Sequence, residues 1–182
     1  NQKDLGSKGS SYRQWVNLIN NYANSEDHKQ VEIERAYWNS QLNGLSASQL
    51  ALETLKLQNY TPQDRNIKKA KVQEERSIAY LELDQESTSN LILNANRAYT
   101  TEINDILLTA LSRALTKLTN SPTNHIILEG HGREESIAKN VDISNTVGWF
   151  TSMYPVKLTS SSNLSHDIII TKENLRKVPH HG

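Results

Sequence analysis

The stretch TTEINDILLTALSRALTKLT, residues 100–119, constrains the fold of this 182-residue chain more than any other. Its apolar side chains recur every three or four residues, which is the period of an α-helix with one apolar face. Thr100 or Thr101 is expected to cap this helix, with Glu102 and Asp105 in its first turn. We therefore predict a helix that packs against a core through Ile103, Ile106, Leu107, Ala110, Leu111, Ala114, Leu115 and Leu118.

The period changes directly after this helix. Ser121 and Pro122 predict a turn, and HIILEG, residues 125–130, is a short apolar run typical of a strand. DISNTVGWFTSMYPVKLT, residues 142–159, predicts a second strand, and SIAYLELD, residues 77–84, an earlier and half-buried one. Because helical and strand periods are interleaved along the chain, the sequence predicts a mixed α/β (α+β) fold.

Two amphipathic helices are predicted near the start of the chain, in residues 10–24 and 25–44. Ser10 or Ser11 suits the N-cap of the first, and Gly44 is expected to end the second. Further helices are predicted over residues 86–99 and 165–177.

Residues 55–75 contain Pro62, many charges and no clear period, which is typical of an exposed connection. We place a boundary between structural units within this connection. Residues 1–67 then form a helical part with its connection, and residues 68–182 form a second part that contains the long helix and the strands.

Composition excludes several classes of protein. Twenty basic and twenty acidic residues cancel, so nothing in the net charge favours nucleic acid or an anionic membrane as partner. No run of apolar residues reaches the length of a membrane span, and the first residues lack the order of a signal peptide, so we expect a cytoplasmic protein. The absence of cysteine excludes disulfides, thiolate catalysis and cysteine-ligated zinc.

Glu129 is the residue that stands out chemically, because it ends an apolar strand just before Gly130. On a strand it shares one face with His125 and Ile127. A carboxylate that is partly buried there must be paired or protonated. Two interpretations remain open: an ion pair with Arg133 or another cation, or a general acid or base with a pKa raised by partial burial.

Other motifs near Glu129 are weaker. Gly130-His131-Gly132 lacks the third glycine of a nucleotide loop, and no Gly-x-Ser-x-Gly hydrolase motif surrounds a serine. His131-x-x-Glu134 and His180-His181 lack a third ligand at a suitable spacing, so we expect no metal site.

Four segments together carry a resemblance. EGHGREE at 129–135 and DISNTVGWFTSMYPVKL at 142–158 resemble the EGHGRE and RTVGWFTxxYP motifs of the epimerization domains of non-ribosomal peptide synthetases, with Asn145 in place of the usual Arg. NDILLTAL at 104–111 is similar to the D-x-L-L-x-A motif of that family, and VPHHG at 178–182 resembles the opening of its P-x-x-G-x-G-Y-G motif.

The resemblance implies a chloramphenicol acetyltransferase-like fold of two lobes, of which this chain is an incomplete part. Residues 1–67 would be the end of the first lobe and residues 68–182 the first part of the second. The His-His-x-x-x-Asp-Gly motif that supplies a catalytic histidine in the first lobe is absent from this sequence. We expect that histidine in the remaining part of the domain, which makes that part a partner.

The function that the resemblance implies is epimerization, from L to D, at the Cα of an aminoacyl or peptidyl thioester. The thioester is carried on the phosphopantetheine of a partner carrier domain, and no cofactor is expected to bind this chain directly. Glu129 would act as acid or base. The residues implied in substrate binding are His131, Arg133, Trp149, Phe150 and Thr151.

Two alternatives stay open at this point. A condensation domain, which forms the peptide bond, has the same fold, although the Glu129 motif with Trp149, Phe150 and Thr151 favours epimerization. A non-catalytic piece that binds a carrier domain is the other alternative, because half of the implied site is not in this sequence. We expect the isolated chain to be inactive.

Overall fold

The computed structural model describes residues 8–25, 28–45, 82–137 and 140–182. Helices and strands are mixed, which confirms the predicted fold class. The elements in chain order are α1 (Tyr12–Ala23), α2 (His28–Leu42), α3 (Gln85–Ser89), a π-helical segment (Asn90–Ala95), α4 (Asn96–Tyr99), α5 (Ile103–Thr119), β1 (Thr123–Gly130), β2 (Ser152–Thr159) and α6 (Leu164–Arg176). Short 3₁₀ turns lie at Glu135–Ile137 and Pro179–His181.

The chain forms two compact units. The first combines Asn1–Asn43 with His125–Lys157 and Asn174–Gly182, and the second combines Gly44–Asn124 with Leu158–Glu173. Strands β1 and β2 pair with each other in a two-stranded sheet. None of the helices within the described residues is long and apolar enough to cross a membrane.

Several predictions concern residues outside the described ranges. The connection at 55–75 and the boundary between residues 67 and 68 lie there entirely, so both stay predictions. Most of the strand predicted at 77–84 lies there too, and residues 82–84 are not in a strand.

The start of α1 confirms the predicted serine cap. The hydroxyl of Ser11 accepts a hydrogen bond from the backbone N–H of Gln14 at 3.3 Å, and the N–H of Ser11 donates to Oε1 of Gln14 at 2.6 Å. This reciprocal pair satisfies two backbone donors that a helix start otherwise leaves open. Trp15, one turn into the helix, packs with Ile143 and Phe150 as the hydrophobic core of the first unit.

The start of α5 corrects the predicted cap. Thr100 has left-handed backbone geometry, with φ of 52°, and ends α4, so it is not available to start the next helix. The helix is capped at Glu102, whose backbone N–H donates to Oδ2 of Asp105 at 2.9 Å. The helix itself is confirmed, since it runs from Ile103 to Thr119.

The buried face of α5 also differs from the prediction. Asp105, Thr109 and Ser112 are the buried residues of this helix, whereas Leu107 and Leu118 are exposed by 49% and 60%. The hydroxyl of Thr109 donates to the carbonyl of Asp105 at 2.7 Å. This bond satisfies the Thr109 hydroxyl and lets it tolerate burial, whereas the buried hydroxyl of Ser112 has no hydrogen-bond partner in this structure.

The second predicted strand is shorter than expected. Strand β2 begins at Ser152, and residues 142–151 form a loop. The side chain of Arg133 binds the carbonyls of Ile143 and Thr146, which are therefore bonded to a side chain and not to a neighbouring strand.

Asp167 anchors the packing inside the second unit. Its side chain is only 2% exposed and pairs with the guanidinium of Arg113. The carboxylate also accepts hydrogen bonds from the backbone and hydroxyl of Ser161, at 2.9 and 2.7 Å, and from the hydroxyl of Ser160 at 3.2 Å. Burial by itself would raise the pKa of Asp167, but the bonds from Ser161, Arg113 and Ser160 outweigh burial and lower the pKa.

We expect Asp167→Asn to lower the free energy of unfolding by about 2 to 3 kcal/mol, because an amide loses the charge-assisted bonds and leaves Arg113 without its carboxylate. Urea unfolding followed by circular dichroism measures this change. The matched control is Glu173→Gln on the same helix, whose side chain is 48% exposed and whose loss should change stability little.

The pH dependence should differ as well. Because the folded pKa of Asp167 is lowered, its stabilisation is complete above the ordinary value of 3.8 and is lost as the pH falls through the lowered value. Asp167→Asn should therefore flatten the acid limb of stability against pH. An unchanged acid limb would contradict this role.

Candidate functional site

A segment with neither helix nor strand, residues 131–134, follows β1 within the EGHGREE motif. Gly132 has φ of 65°, and a Cβ placed there would lie 1.6 Å from the carbonyl oxygen of Phe150. No other residue type fits this approach without moving the backbone. The glycine thus lets the EGHGREE motif lie directly against the GWFT residues.

Glu129 lies on an exposed face of β1. Residues 127 and 129 are exposed, residues 126 and 128 are half-buried, and Ile127 is exposed by 65%. The predicted alternation along the strand is therefore present, but the partial burial expected for Glu129 is not. Glu129 is thus exposed to solvent in this structure, as is His131 two residues later.

Arg133 does not pair with Glu129 but binds the loop that precedes the GWFT residues. Its Nη1 donates to the carbonyl of Ile143 at 2.7 Å, and its Nη2 donates to the carbonyl of Thr146 at 2.9 Å. The guanidinium carbon also lies 3.9 Å from the centre of the Phe150 ring. A planar fork of donors above an aromatic face suits arginine in particular. Arg133 therefore connects the two motifs.

Arg133→Lys should loosen this loop, because one ammonium group cannot reproduce two divergent hydrogen bonds and the stacking on Phe150. We expect a loss of about 1 to 3 kcal/mol in the free energy of unfolding. Thermal and urea unfolding measure the loss, and near-ultraviolet circular dichroism reports on Phe150 and Trp149. Arg13→Lys, at an exposed position of α1, is the control, and equal stability of the two variants would contradict this role.

Glu134 joins His131 to His181. Nδ1 of His131 accepts the backbone N–H of Arg133 at 3.0 Å, and Nε2 lies 3.3 Å from Oε1 of Glu134. Because Nδ1 acts as an acceptor, the ring hydrogen of the neutral imidazole is assigned to Nε2. The other oxygen of Glu134 lies 3.0 Å from Nδ1 of His181. One carboxylate thus lies close to both histidines.

The VPHHG segment is held by a second carboxylate. Nε2 of His180 lies 3.0 Å from the hydroxyl of Tyr22 and 3.4 Å from Oε1 of Glu34. The same hydroxyl donates to Glu34. Residues of α1 and α2 therefore meet the end of the chain.

A cavity of about 450 Å³ lies where these segments meet, wholly within the first unit. We call it the aromatic cavity. Its wall includes Trp149, Phe150 and Thr151, so three of the six predicted site residues come together. Glu129, His131 and Arg133 are not among the described residues that line it.

Sequence reasoning missed the two acids of this cavity. Glu34 and Glu134 both line it, and their side chains are only 16% and 14% exposed. The signal for Glu134 was its position three residues after His131, which we considered only as a metal pair. Glu34 gave no signal, because its partner His180 is 146 residues away in the sequence and an acid on a helix is usually solvated.

The chain matches known proteins over its whole length. A family model described as the condensation domain matches residues 1–182. The chain is 41% identical over 186 residues to gramicidin S synthase 1 of Brevibacillus brevis, which covers 98% of this chain and 15% of that protein. It is 36% identical over 181 residues to bacitracin synthase 3 of Bacillus licheniformis, which covers 98% of this chain and 3% of that protein.

A solved structure is also similar. The crystal structure of the epimerization domain from the third module of tyrocidine synthetase B superposes with a TM-score of 0.61 at 28% sequence identity. The match covers 98% of this chain and 38% of that domain. The chain therefore spans well under half of the solved domain and a small part of each synthetase.

Proposed function

Because the chain belongs to the condensation-domain family of non-ribosomal peptide synthetases, we propose that it is part of an epimerization domain. The complete domain would invert the Cα of an aminoacyl or peptidyl thioester from L to D. The observation that carries this proposal is the EGHGREE motif, in which Glu129 lies on an exposed face of β1, one residue before the strand ends. The similarity to a solved epimerization domain supports it.

The reaction needs two proton-transfer groups on opposite sides of the substrate. One group removes the proton from Cα, and the electron pair of the broken C–H bond moves into the thioester to form an enolate. The other group delivers a proton to the opposite face, and the carbonyl is restored. Proton transfer by a positioned side chain accounts for about 10²- to 10⁴-fold in rate, or about 3 to 5 kcal/mol. The enolate oxygen therefore needs hydrogen-bond donors as well.

We assign one of these groups to Glu129 and the other to the histidine of the His-His-x-x-x-Asp-Gly motif in the remainder of the domain. The exposed face with Ile127 and Glu129 is the surface of β1 that the remainder would cover. Covering it would exclude water and strengthen each electrostatic interaction with the enolate. The substrate would arrive on the phosphopantetheine of a carrier domain, with no further cofactor.

Glu129→Gln in the complete domain should reduce exchange of the Cα proton of a carrier-bound aminoacyl group by at least about 100-fold, because an amide neither accepts nor donates the proton. The measurement is deuterium incorporation from heavy water, followed by mass spectrometry of the released amino acid. The control is Glu86→Gln, an exposed acid in α3. Exchange at the wild-type rate in Glu129→Gln would remove the carboxylate from the mechanism.

The 182-residue chain by itself should show no exchange, because only one of the two proposed groups belongs to it. The same assay with a loaded carrier domain measures this. If the chain alone inverts Cα, the proposal that one of the two proton-transfer groups lies outside this chain is wrong.

Peptide-bond formation is the second candidate function, because the matching family model is that of the condensation domain and the similar relatives are whole synthetases. A complete domain that joins two carrier-bound aminoacyl groups without solvent exchange at Cα would support this alternative. The third candidate function is binding of the carrier domain without catalysis of either reaction.

A further inference from the structure

The aromatic cavity is lined by side chains that have no part in the proton transfer proposed above. All three tryptophans of the chain, Trp15, Trp38 and Trp149, line it, together with the buried ring of Phe150. A volume of about 450 Å³ suits a small organic molecule. Aromatic side chains therefore form a large part of the described wall.

The only ionisable groups of fixed sign on the described wall are acids. Glu34 and Glu134 face the cavity, and no Lys or Arg is among the described residues that line it. Each oxygen of Glu134 lies near one histidine nitrogen, and a carboxylate oxygen accepts two hydrogen bonds. The acid thus keeps the capacity to accept a further donor.

The negative charge of Glu134 acts on its surroundings. Burial raises the pKa of Tyr154, and the charge of Glu134 raises that pKa further.

The two carboxylates favour a ligand of positive charge. A neutral apolar ligand would displace water from the carboxylates without offering them hydrogen bonds, and an anion would be repelled. A cation over aromatic faces has neither disadvantage.

The number of donors on an ammonium group also suits this wall. Its three N–H donors can bond to more than one carboxylate oxygen at once, and Glu34 and Glu134 both line the cavity.

We infer that the aromatic cavity is a binding site for a protonated primary amine on an aromatic stem, with the ammonium group at Glu34 and Glu134 and the ring among Trp15, Trp38 and Trp149. Glu129 is not part of this wall. The inference is therefore independent of the epimerization proposed above, and binding is testable without a carrier domain.

Three ligands with one stem and different charge test it on the unaltered chain: phenethylamine, 2-phenylethanol and phenylacetate at pH 7. Since every tryptophan lines the cavity, intrinsic fluorescence reports occupancy directly. We expect phenethylamine to bind at least about 10-fold more tightly than the alcohol, and phenylacetate more weakly than both. Equal binding of amine and alcohol, or no saturable response to the amine, would overturn the inference.

The acids are then tested separately. Glu34→Gln and Glu134→Gln should each weaken phenethylamine about 5- to 10-fold and leave 2-phenylethanol unchanged, with Glu86→Gln as the control away from the cavity. Isothermal titration gives the affinities, and circular dichroism establishes that each variant is folded. If both folded variants keep the preference for the amine, the acids do not bind it. If one variant fails to fold, the other variant and the three-ligand comparison still decide the inference.

Discussion

The guanidinium of Arg133 lies over Phe150 and binds the carbonyls of Ile143 and Thr146, and the arrangement of the motifs in the first unit depends on this contact. It fixes the loop that leads into the GWFT residues. Gly132 beside it allows the backbone of Phe150 to approach at a distance that any Cβ would prevent. With Phe150 in the core beside Trp15 and Ile143, the neighbouring Trp149 and Thr151 remain at the cavity wall. The planar guanidinium of Arg133 thus holds the EGHGREE motif against the segment that contains the GWFT residues.

The last two residues of β1 have different surroundings. Glu129 is on the exposed face of β1, whereas Gly130 faces the hydroxyl of Ser152 and the carbonyl of His181. A Cβ on Gly130 would lie 2.8 Å from that hydroxyl, so this side of the strand has no room for a side chain. Because Glu129 is not among the described residues that line the aromatic cavity, the proton transfer proposed for Glu129 and the ligand binding proposed for the cavity can be tested independently.

How far the sequence predicts the structure depends on the range of each interaction. The Ser11 cap, the extent of α5 and the end of α6 follow from residues within one or two turns, and these predictions are confirmed. The buried face of α5 was predicted from apolarity, and this prediction was wrong because the polar residues Thr109 and Ser112 are buried instead. The Thr109 hydroxyl bonds to its own helix, whereas that of Ser112 has no hydrogen-bond partner in this structure. The partners of Arg133 and Glu134 were not predictable, since Thr146 and His181 are 13 and 47 residues away and no local pattern relates them.

The contacts of His131 help to decide whether this residue could be the second proton-transfer group of the proposed mechanism. Its Nδ1 accepts from the N–H of Arg133, and its Nε2 faces Glu134. To accept a proton at Nδ1 the ring would have to break its hydrogen bond with the N–H of Arg133. His131 is therefore oriented by its neighbours and is poorly placed to exchange protons with a substrate, although it lies two residues from Glu129. The orientation of His131 agrees with the proposal that the second proton-transfer group is the histidine of the remaining part of the domain.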